Sequence, residues 1–214
     1  MSRESSAFDA MFEVLSAAEA ERVTALYAPL ADAVRELIDA TIRTEVDDDV
    51  VHQARTTIEA VTASLRQRTR PAKVSYRVDG RPLPLGNAAI GVCNPIAAPI
   101  VVQHDGGGRC TSDFVLGSAY EGPPGLVHGG VSALVLDHML GEAASEGLSK
   151  ARFTGTITVK YLRGTPLGPL RCDAWIESAE GVKVFARGTI SDAAGVTVEA
   201  EGVFIEPAWA RESQ

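Results

Sequence analysis

The stretch Glu121-Gly-Pro-Pro-Gly-Leu-Val-His-Gly-Gly-Val-Ser-Ala-Leu-Val-Leu-Asp137 joins a Gly/Pro-rich loop to the start of an apolar helix. His128, Gly129 and Gly130 stand at the junction, and glycines at a helix N-terminus leave backbone N–H groups accessible. Such donors suit an oxyanion that develops on a substrate. Asp137 follows about two helical turns later and is a candidate general base or nucleophile. The stretch therefore predicts a helix N-terminus and a carboxylate that act on a substrate.

The sequence on both sides of this stretch predicts an α+β domain. The helix 128–145 is apolar on most sides, so we expect it to be central rather than superficial. Short turns connect the last three predicted strands, which favours an antiparallel meander. One buried helix and about six strands place the helix against one face of a sheet. The predicted strands are 96–103 and 110–116 before the helix, and 153–162, 170–178, 183–191 and 196–206 after it.

The first part of the chain, residues 1–70, predicts a helical extension. Apolar residues recur at intervals of three and four, and we expect Pro29 to divide or kink the first helix. Asp47–Asp49 is a predicted N-terminal cap for a second helix that ends near Arg68. The pair is acidic, which argues against a DNA-reading helix-turn-helix. We expect it to pack on the main domain or on another subunit.

Composition shifts divide the rest of the chain. Residues 71–93 are punctuated by proline and glycine and predict a linker or an irregular wrap, with a short edge strand at Val74–Val78. Residues 94–207 form the predicted α+β domain, and residues 208–214 a C-terminal tail.

Bulk properties restrict the classes of function. The 214 residues carry a net charge of −8, with 45% hydrophobic and 22% charged residues, which is typical of a globular protein and argues against nucleic acid as a partner. No stretch approaches the roughly 18 apolar residues of a membrane span, and the first residues lack the apolar core of a secretory signal. We expect a cytoplasmic protein. Its three cysteines, Cys93, Cys110 and Cys172, are predicted to be reduced, and no cluster of ligands predicts a metal.

Residues 94–207 resemble the hotdog-fold thioesterases, and most closely their PaaI-like and THEM4-like acyl-CoA thioesterase branch. The resemblance rests on E-G-P-P-G-x-V-H-G-G followed by Asp137, nine residues after His128, and on a strand that ends in Tyr161-x-Arg163 with Thr154 seven residues before the tyrosine. It implies the hotdog fold, a long central helix wrapped by a curved antiparallel sheet. In this branch the position of Asp137 holds the catalytic acid, and the position of Thr154 a hydroxyl residue that helps place the attacking water.

The same resemblance implies roles for the loop. His128 organises it, Gly129 or Gly130 supplies the backbone donors, and Gly122 and Val127 belong to the substrate-binding site. Some relatives carry Asn or Gln six residues before the histidine to support the oxyanion hole, whereas this chain has Gly122. Backbone donors must then polarise the thioester carbonyl, and the loss of a side-chain donor costs on the order of 10²-fold in rate if nothing replaces it.

Each candidate residue also has a structural interpretation. Asp137 could pair with a basic neighbour and His128 could cap the helix, while Thr154 could be an ordinary strand residue on the face of Thr156 and Thr158. We predict a packing or interface role for His138 and solvated positions for His52 and His104. The basic residues expected to hold the phosphates of coenzyme A, which are otherwise solvated charges, are Lys160, Arg163 and Lys183.

The resemblance thus implies an acyl-CoA thioesterase that needs no cofactor, because coenzyme A is part of its substrate. Family members form dimers and often tetramers, with active sites at the dimer interface. We therefore expect Asp137 and Thr154 of one chain to face the loop Gly122–Gly130 of another. Two alternatives remain: a hotdog hydratase or dehydratase that uses a His–Asp or His–Glu pair, and a non-catalytic acyl-CoA-binding sensor.

Overall fold

The computed structural model describes residues 12–70 and 75–211, and its centre is one helix, α3, at Gly129–Ala144. A six-stranded antiparallel sheet packs on this helix in the order β4-β5-β7-β8-β9-β6. The predicted α+β hotdog fold is confirmed. The strands are β4 (Gln103–Gly106), β5 (Arg109–Leu116), β6 (Phe153–Tyr161), β7 (Gly168–Glu180), β8 (Lys183–Asp192) and β9 (Gly195–Ile205).

The hydrophobic core lies between α3 and the sheet. Four residues of α3 have no solvent exposure, and the residues of the sheet that cover them are small or apolar. Full burial of side chains of this size stabilises a fold by about 1.5–3 kcal/mol each. These helix residues are Val135, Leu136, Met139 and Leu140, and the sheet residues that pack with them include Cys110, Cys172, Ala174, Ile190, Val198 and Phe204.

The strand order places β6 at an edge of the sheet. The predicted meander β7-β8-β9 is confirmed, whereas β6 precedes it in sequence and pairs with β9 at the far side. The strand before the helix is shorter than predicted. It begins at Gln103 instead of Ile96, because Pro95 and Pro99 remove backbone donors that a ladder requires. The second strand of the predicted hairpin, β5, begins at Arg109, one residue before the predicted start, and ends at the predicted Leu116.

The N-terminal extension contains two helices, α1 (Ala17–Arg43) and α2 (Asp48–Arg66). Ser16 and Glu19 form a capping box at the start of α1. Pro29 does not divide this helix, because one helix runs through it, and a kink at Pro29 stays a prediction. Pro29 is exposed, and the helix loses a single N–H donor there. Asp47 is the N-cap of α2, although its side chain makes no capping hydrogen bond.

A second, three-stranded sheet lies near the start of the described chain. It consists of β1 (Phe12–Val14), β2 (Ser75–Val78) and β3 (Arg81–Leu83). A strand is present where an edge strand was predicted at Val74–Val78, but its predicted position at an edge is wrong. β2 is the central strand, parallel to β1 and antiparallel to β3. Residues 71–74 lie outside the described residues. A short helix, α4 (Ala208–Arg211), follows the main sheet. Within the described ranges, no helix has the length and apolar character of a membrane span.

Candidate active site

Asp137 and Thr154 meet in one chain. Asp137 projects from the middle of α3, and the Thr154 hydroxyl at the start of β6 donates a hydrogen bond to its Oδ1 at 3.0 Å. The carboxylate is partly buried. A carboxylate oxygen that accepts this bond still has further acceptor sites, so it can also take a proton from a water molecule. The two residues that the motif selected are therefore brought together.

A β-bulge aims Thr154 at the helix. Thr154 pairs with Phe204 and Thr156 pairs with the next residue of β9, Val203, so Gly155 is an extra residue in β6. Directly paired residues lie on the same face of a sheet, and Phe204 is buried in the core. Thr154 therefore points towards α3 and Thr156 away from it, which corrects the expectation that Thr154 shares a face with Thr156 and Thr158. Bulges often redirect a side chain next to a functional site.

The N-terminus of α3 is held by His128. Its Nδ1 accepts the N–H of Gly130 at 3.0 Å, so a neutral His128 carries its proton on Nε2. The N–H of Gly130 is thereby engaged. In the described part of the chain the N–H of Gly129 has no acceptor, while its carbonyl accepts the Tyr161 hydroxyl at 2.7 Å. Of the two glycines, Gly129 is thus the better candidate for a substrate donor.

The loop before α3 explains the glycine at position 122. A Cβ on Gly122 would lie 2.8 Å from the Cα of His128, so the loop has no room for the side-chain amide found in some relatives. Val127 donates its N–H to the carbonyl of Thr165, and its side chain is 5% exposed and part of the core. Both residues position the loop in this chain, and their contact with a substrate stays a prediction.

The carboxylate and the amides are not adjacent within one chain. Asp137 follows Gly129 by eight residues on the same helix, a rise of about 12 Å. A carbonyl carbon and its oxygen cannot bridge that gap, because reacting atoms must approach within about 3–3.5 Å. A complete site at Asp137 therefore requires donors from elsewhere than its own loop.

Asp137 and Thr154 line a cavity of about 530 Å³. Its walls come from the second half of α3, from the segment 148–154 and from the segment 77–90, which begins in β2 and contributes Arg77, Pro82, Pro84 and Ile90. That segment falls within the predicted linker 71–93, so the wrap also covers the candidate site. The volume lies within the range of small-molecule sites.

Comparisons with known proteins name one family. The thioesterase superfamily model matches residues 124–199, which include α3 and Thr154. A solved structure described as protein RHA08564, a thioesterase superfamily protein, is 33% identical and has a TM-score of 0.75, and the match covers 84% of this chain and 94% of that one. The chain belongs to the thioesterase superfamily.

A second relative of this thioesterase-superfamily member is acyl-coenzyme A thioesterase THEM4 of Xenopus laevis, 36% identical over 96 residues. That match spans 44% of this chain and 43% of the relative, so the chain corresponds to less than half the length of that protein. The match to RHA08564 covers more of the chain than residues 94–207 and so extends into the residues before them.

Sequence analysis missed Glu142, a buried acid one helical turn beyond His138. Glu142 is 4% exposed, and its two carboxylate oxygens lie 3.2 Å from Nε2 of His138 and 3.3 Å from Nε2 of His104. These are close approaches and not hydrogen bonds, and the buried Nε2 of His138 has no hydrogen-bond partner in the described part of the chain. His138 and Glu142 line the cavity of Asp137. The i, i+4 spacing of His138 and Glu142 was the available signal. His104 is exposed, as predicted, and it also lies beside Glu142.

The predicted basic residues do not form one cluster in this superfamily member. Arg163 donates to both carboxylate oxygens of Asp192, at 2.8 and 2.5 Å, and to the carbonyl of Gly195. This pairing lowers the pKa of Asp192 to about 2. Lys160 is exposed on β6, six residues and about 20 Å from Thr154. Lys183 is exposed at the start of β8, two strands from Phe153. Their role in substrate binding stays a prediction.

The cysteines and potential metal ligands give no second centre among residues 12–70 and 75–211. Burial raises the pKa of Cys110 to about 12, with a further contribution from Glu142, and burial also raises the pKa of Cys172. Such thiols are poor nucleophiles. The described residues contain no group of three or more His, Cys, Asp or Glu that could hold a metal ion.

Proposed function

We propose that this protein hydrolyses an acyl-CoA thioester to a free acid and coenzyme A, without a cofactor. The observation that carries the proposal is the hydrogen bond from Thr154 to Asp137 at the edge of a cavity. Family membership supports thioesterase chemistry, and the relatedness to an acyl-coenzyme A thioesterase favours coenzyme A as the leaving group.

In the proposed reaction Asp137 takes a proton from a water molecule as the water oxygen bonds to the thioester carbonyl carbon. The bond from that carbon to sulfur then breaks, the thiolate leaves as coenzyme A, and the proton on Asp137 returns to the sulfur or to solvent. Direct attack by the carboxylate is the variant of this route in which water opens an acyl-enzyme anhydride. Thr154 fixes one oxygen of the carboxylate, so the other faces the substrate.

The oxyanion donors of the proposed site come from a second subunit. The free N–H of Gly129, at the start of α3, lies too far from Asp137 in the same chain. A homodimer, with possible further pairing to a tetramer, places the loop Gly122–Gly130 of one chain opposite Asp137 and Thr154 of the other. Lys160, Arg163 and Lys183 are then candidates for the phosphates of coenzyme A, approached from either subunit.

Replacement of Asp137 tests the proposal. Asp137→Asn keeps an oxygen for Thr154 but loses the base, so we expect kcat on the best substrate of an acyl-CoA panel to fall by about 10²–10⁴-fold with an unchanged melting temperature. Asp113→Asn is the control, because Asp113 is exposed on β5 and outside the cavity. Turnover of Asp137→Asn close to that of the control would contradict the proposal, and thiol release measures it.

A second candidate, hydration of an enoyl thioester, is favoured by the pair His138 and Glu142 in the same cavity. Nε2 of His138 lies 3.2 Å from the carboxylate but has no hydrogen-bond partner among the described residues, so the two groups are near each other and a bound substrate would have to align them for proton transfer. In an assay with an enoyl-CoA, formation of the hydroxyacyl product without thiol release supports the hydratase, whereas thiol release supports the thioesterase. Tight binding of both ligands with neither product would support an acyl-CoA-binding sensor.

A further inference from the structure

The N-terminal helices expose apolar side chains on one side. One face of α1 is fixed to the hotdog domain, where Arg35 donates to the carbonyl of Ala97 and the Ser118 hydroxyl donates to Asp39. The opposite stripe of α1 is exposed, and α2 has no buried residue at all. The large apolar side chains on these two helices that are 38% to 59% exposed are Leu26, Leu30, Leu37, Ile42, Val50, Val51, Ile58, Val61 and Leu65.

Seven of these nine residues follow a seven-residue repeat, which exposed alanines complete, whereas Ile42 and Val50 lie outside it. The repeat alternates intervals of three and four, which is the pattern of helices that pack side by side along a narrow seam. In α1 the seam is Leu26, Leu30, Ala33, Leu37 and Ala40, and in α2 it is Val51, Ala54, Ile58, Val61 and Leu65. Single exposed apolar residues need no explanation, but two continuous seams predict a partner helix.

The two helices form an open antiparallel hairpin, because they run in opposite directions but do not pack closely on each other along their length. Four residues connect them, and the chain that leaves α2 returns to α1, where the guanidinium of Arg70 lies 4.7 Å from the ring centre of Tyr27. Because α1 and α2 do not pack closely on each other, the seam residues of both helices stay exposed. Four helices are the usual number that encloses such seams.

We propose that this hairpin packs against the same hairpin of a second copy of the chain and forms an antiparallel four-helix bundle. The charges at the two ends of α2 favour a second copy of the chain as the partner. α2 begins with Asp47, Asp48 and Asp49 and ends near Arg66 and Arg68. A two-fold axis perpendicular to α2 places the acidic end of one copy beside the basic end of the other. The surface is therefore complementary to itself, as a two-fold interface requires.

The size of the surface is sufficient for this contact. α2 has 19 residues and is about 28 Å long, and two helices side by side are about 20 Å wide. Two such faces bury on the order of 1,100 Å², above the roughly 1,000 Å² expected of a specific interface. The contact is independent of the chemistry at Asp137, so it persists whatever reaction the protein catalyses.

Cross-linking of the full-length chain tests the arrangement. Val51→Cys and Leu65→Cys lie at opposite ends of the seam, and an antiparallel pair brings position 51 of one copy near position 65 of the other. In co-expressed, differently tagged chains treated with a short bis-maleimide, we expect covalent links between the two variants. Ala63→Cys is the control on the opposite face of α2, and it also reports any reaction of the native cysteines.

A second substitution in the seam makes the test specific. With the same cysteine pair, Ile58→Glu should lower the yield of the cross-link at least about tenfold, because it buries a charge, whereas Ala63→Glu should leave it unchanged. Circular dichroism shows whether helicity persists in both. Three outcomes would overturn the proposal: no cross-link between chains, cross-links only between identical positions, or equal yields with both glutamate variants. Each would mean that something other than a second hairpin covers the seams.

Discussion

At the scale of single residues, the pair of Asp137 and Thr154 shows what a spacing motif can and cannot predict. The motif selected both residues, and their hydroxyl–carboxylate bond is present at 3.0 Å. Simple alternation along β6 assigned Thr154 to the wrong face, because alternation does not register the extra residue at Gly155. Glu142 escaped notice, since its two histidine partners come from one nearby and one distant position in the chain.

The Thr154 hydroxyl should matter for turnover rather than folding. Thr154→Val keeps the shape of the side chain but removes a bond to a charged group, so we expect kcat to fall about 10- to 100-fold. Thr154→Ser should restore most of it. Thr156→Val, on the other face of the same strand, is the matched control and should match the wild type in steady-state assays. Equal rates for Thr154→Val and Thr156→Val would remove Thr154 from the proposed site.

Gly122 should be intolerant of the amide side chain of other branches. In Gly122→Asn the new Cβ would meet the backbone of His128 at 2.8 Å, so the loop must shift and stability should fall by about 1–3 kcal/mol. Gly86→Asn is the control, because a Cβ there meets nothing within 4 Å. Denaturant unfolding of both variants checks the difference. A stable and more active Gly122→Asn would mean that the loop adapts.

At the scale of elements, strand and helix positions in the main domain followed from apolar periodicity, and the exceptions have local causes. Pro95 and Pro99 shorten β4, while one helix continues through Pro29 because that residue is solvent-exposed. The pairing of β6 with β9 could not be predicted from chain order, since it depends on which edge of the sheet remains open. The central position of β2 could not be predicted from neighbouring sequence, because its partner β1 lies some sixty residues earlier.

Arg163 links the end of β6 to the turn between β8 and β9, and we expect its contribution to the free energy of unfolding to depend on pH. Its hydrogen bonds lower the pKa of Asp192 from 3.8 to about 2 in the folded protein. A lowered pKa stabilises the fold above pH 3.8, and the contribution is lost as the pH falls towards 2. The stability gap between the wild type and Arg163→Met should therefore narrow over that interval in urea titrations. A gap independent of pH would exclude Asp192 as the cause.

At the scale of the whole molecule, the separation of Asp137 from its own loop predicts a shared site. Asp137→Asn and His128→Ala impair different halves of it, and a mixed dimer contains one intact half-site from each chain. Mixing the two inactive variants should therefore restore activity to about a quarter of the wild type after subunit exchange. Each variant re-equilibrated alone is the control. No recovery, despite demonstrated exchange, would mean that each chain holds a complete site.

The segment between β2 and β4 shapes the cavity beside Asp137 and is separate from the elements that hold the catalytic candidates. Pro82, Pro84 and Ile90 border the chamber next to Asp137 but belong to a stretch that contributes nothing to the helix or to the main sheet. Insertions or substitutions in this segment would change the shape of the cavity that receives the acyl group. They would leave Asp137 and Thr154 in place. Changes in this segment would therefore alter substrate specificity and leave the chemical step unchanged.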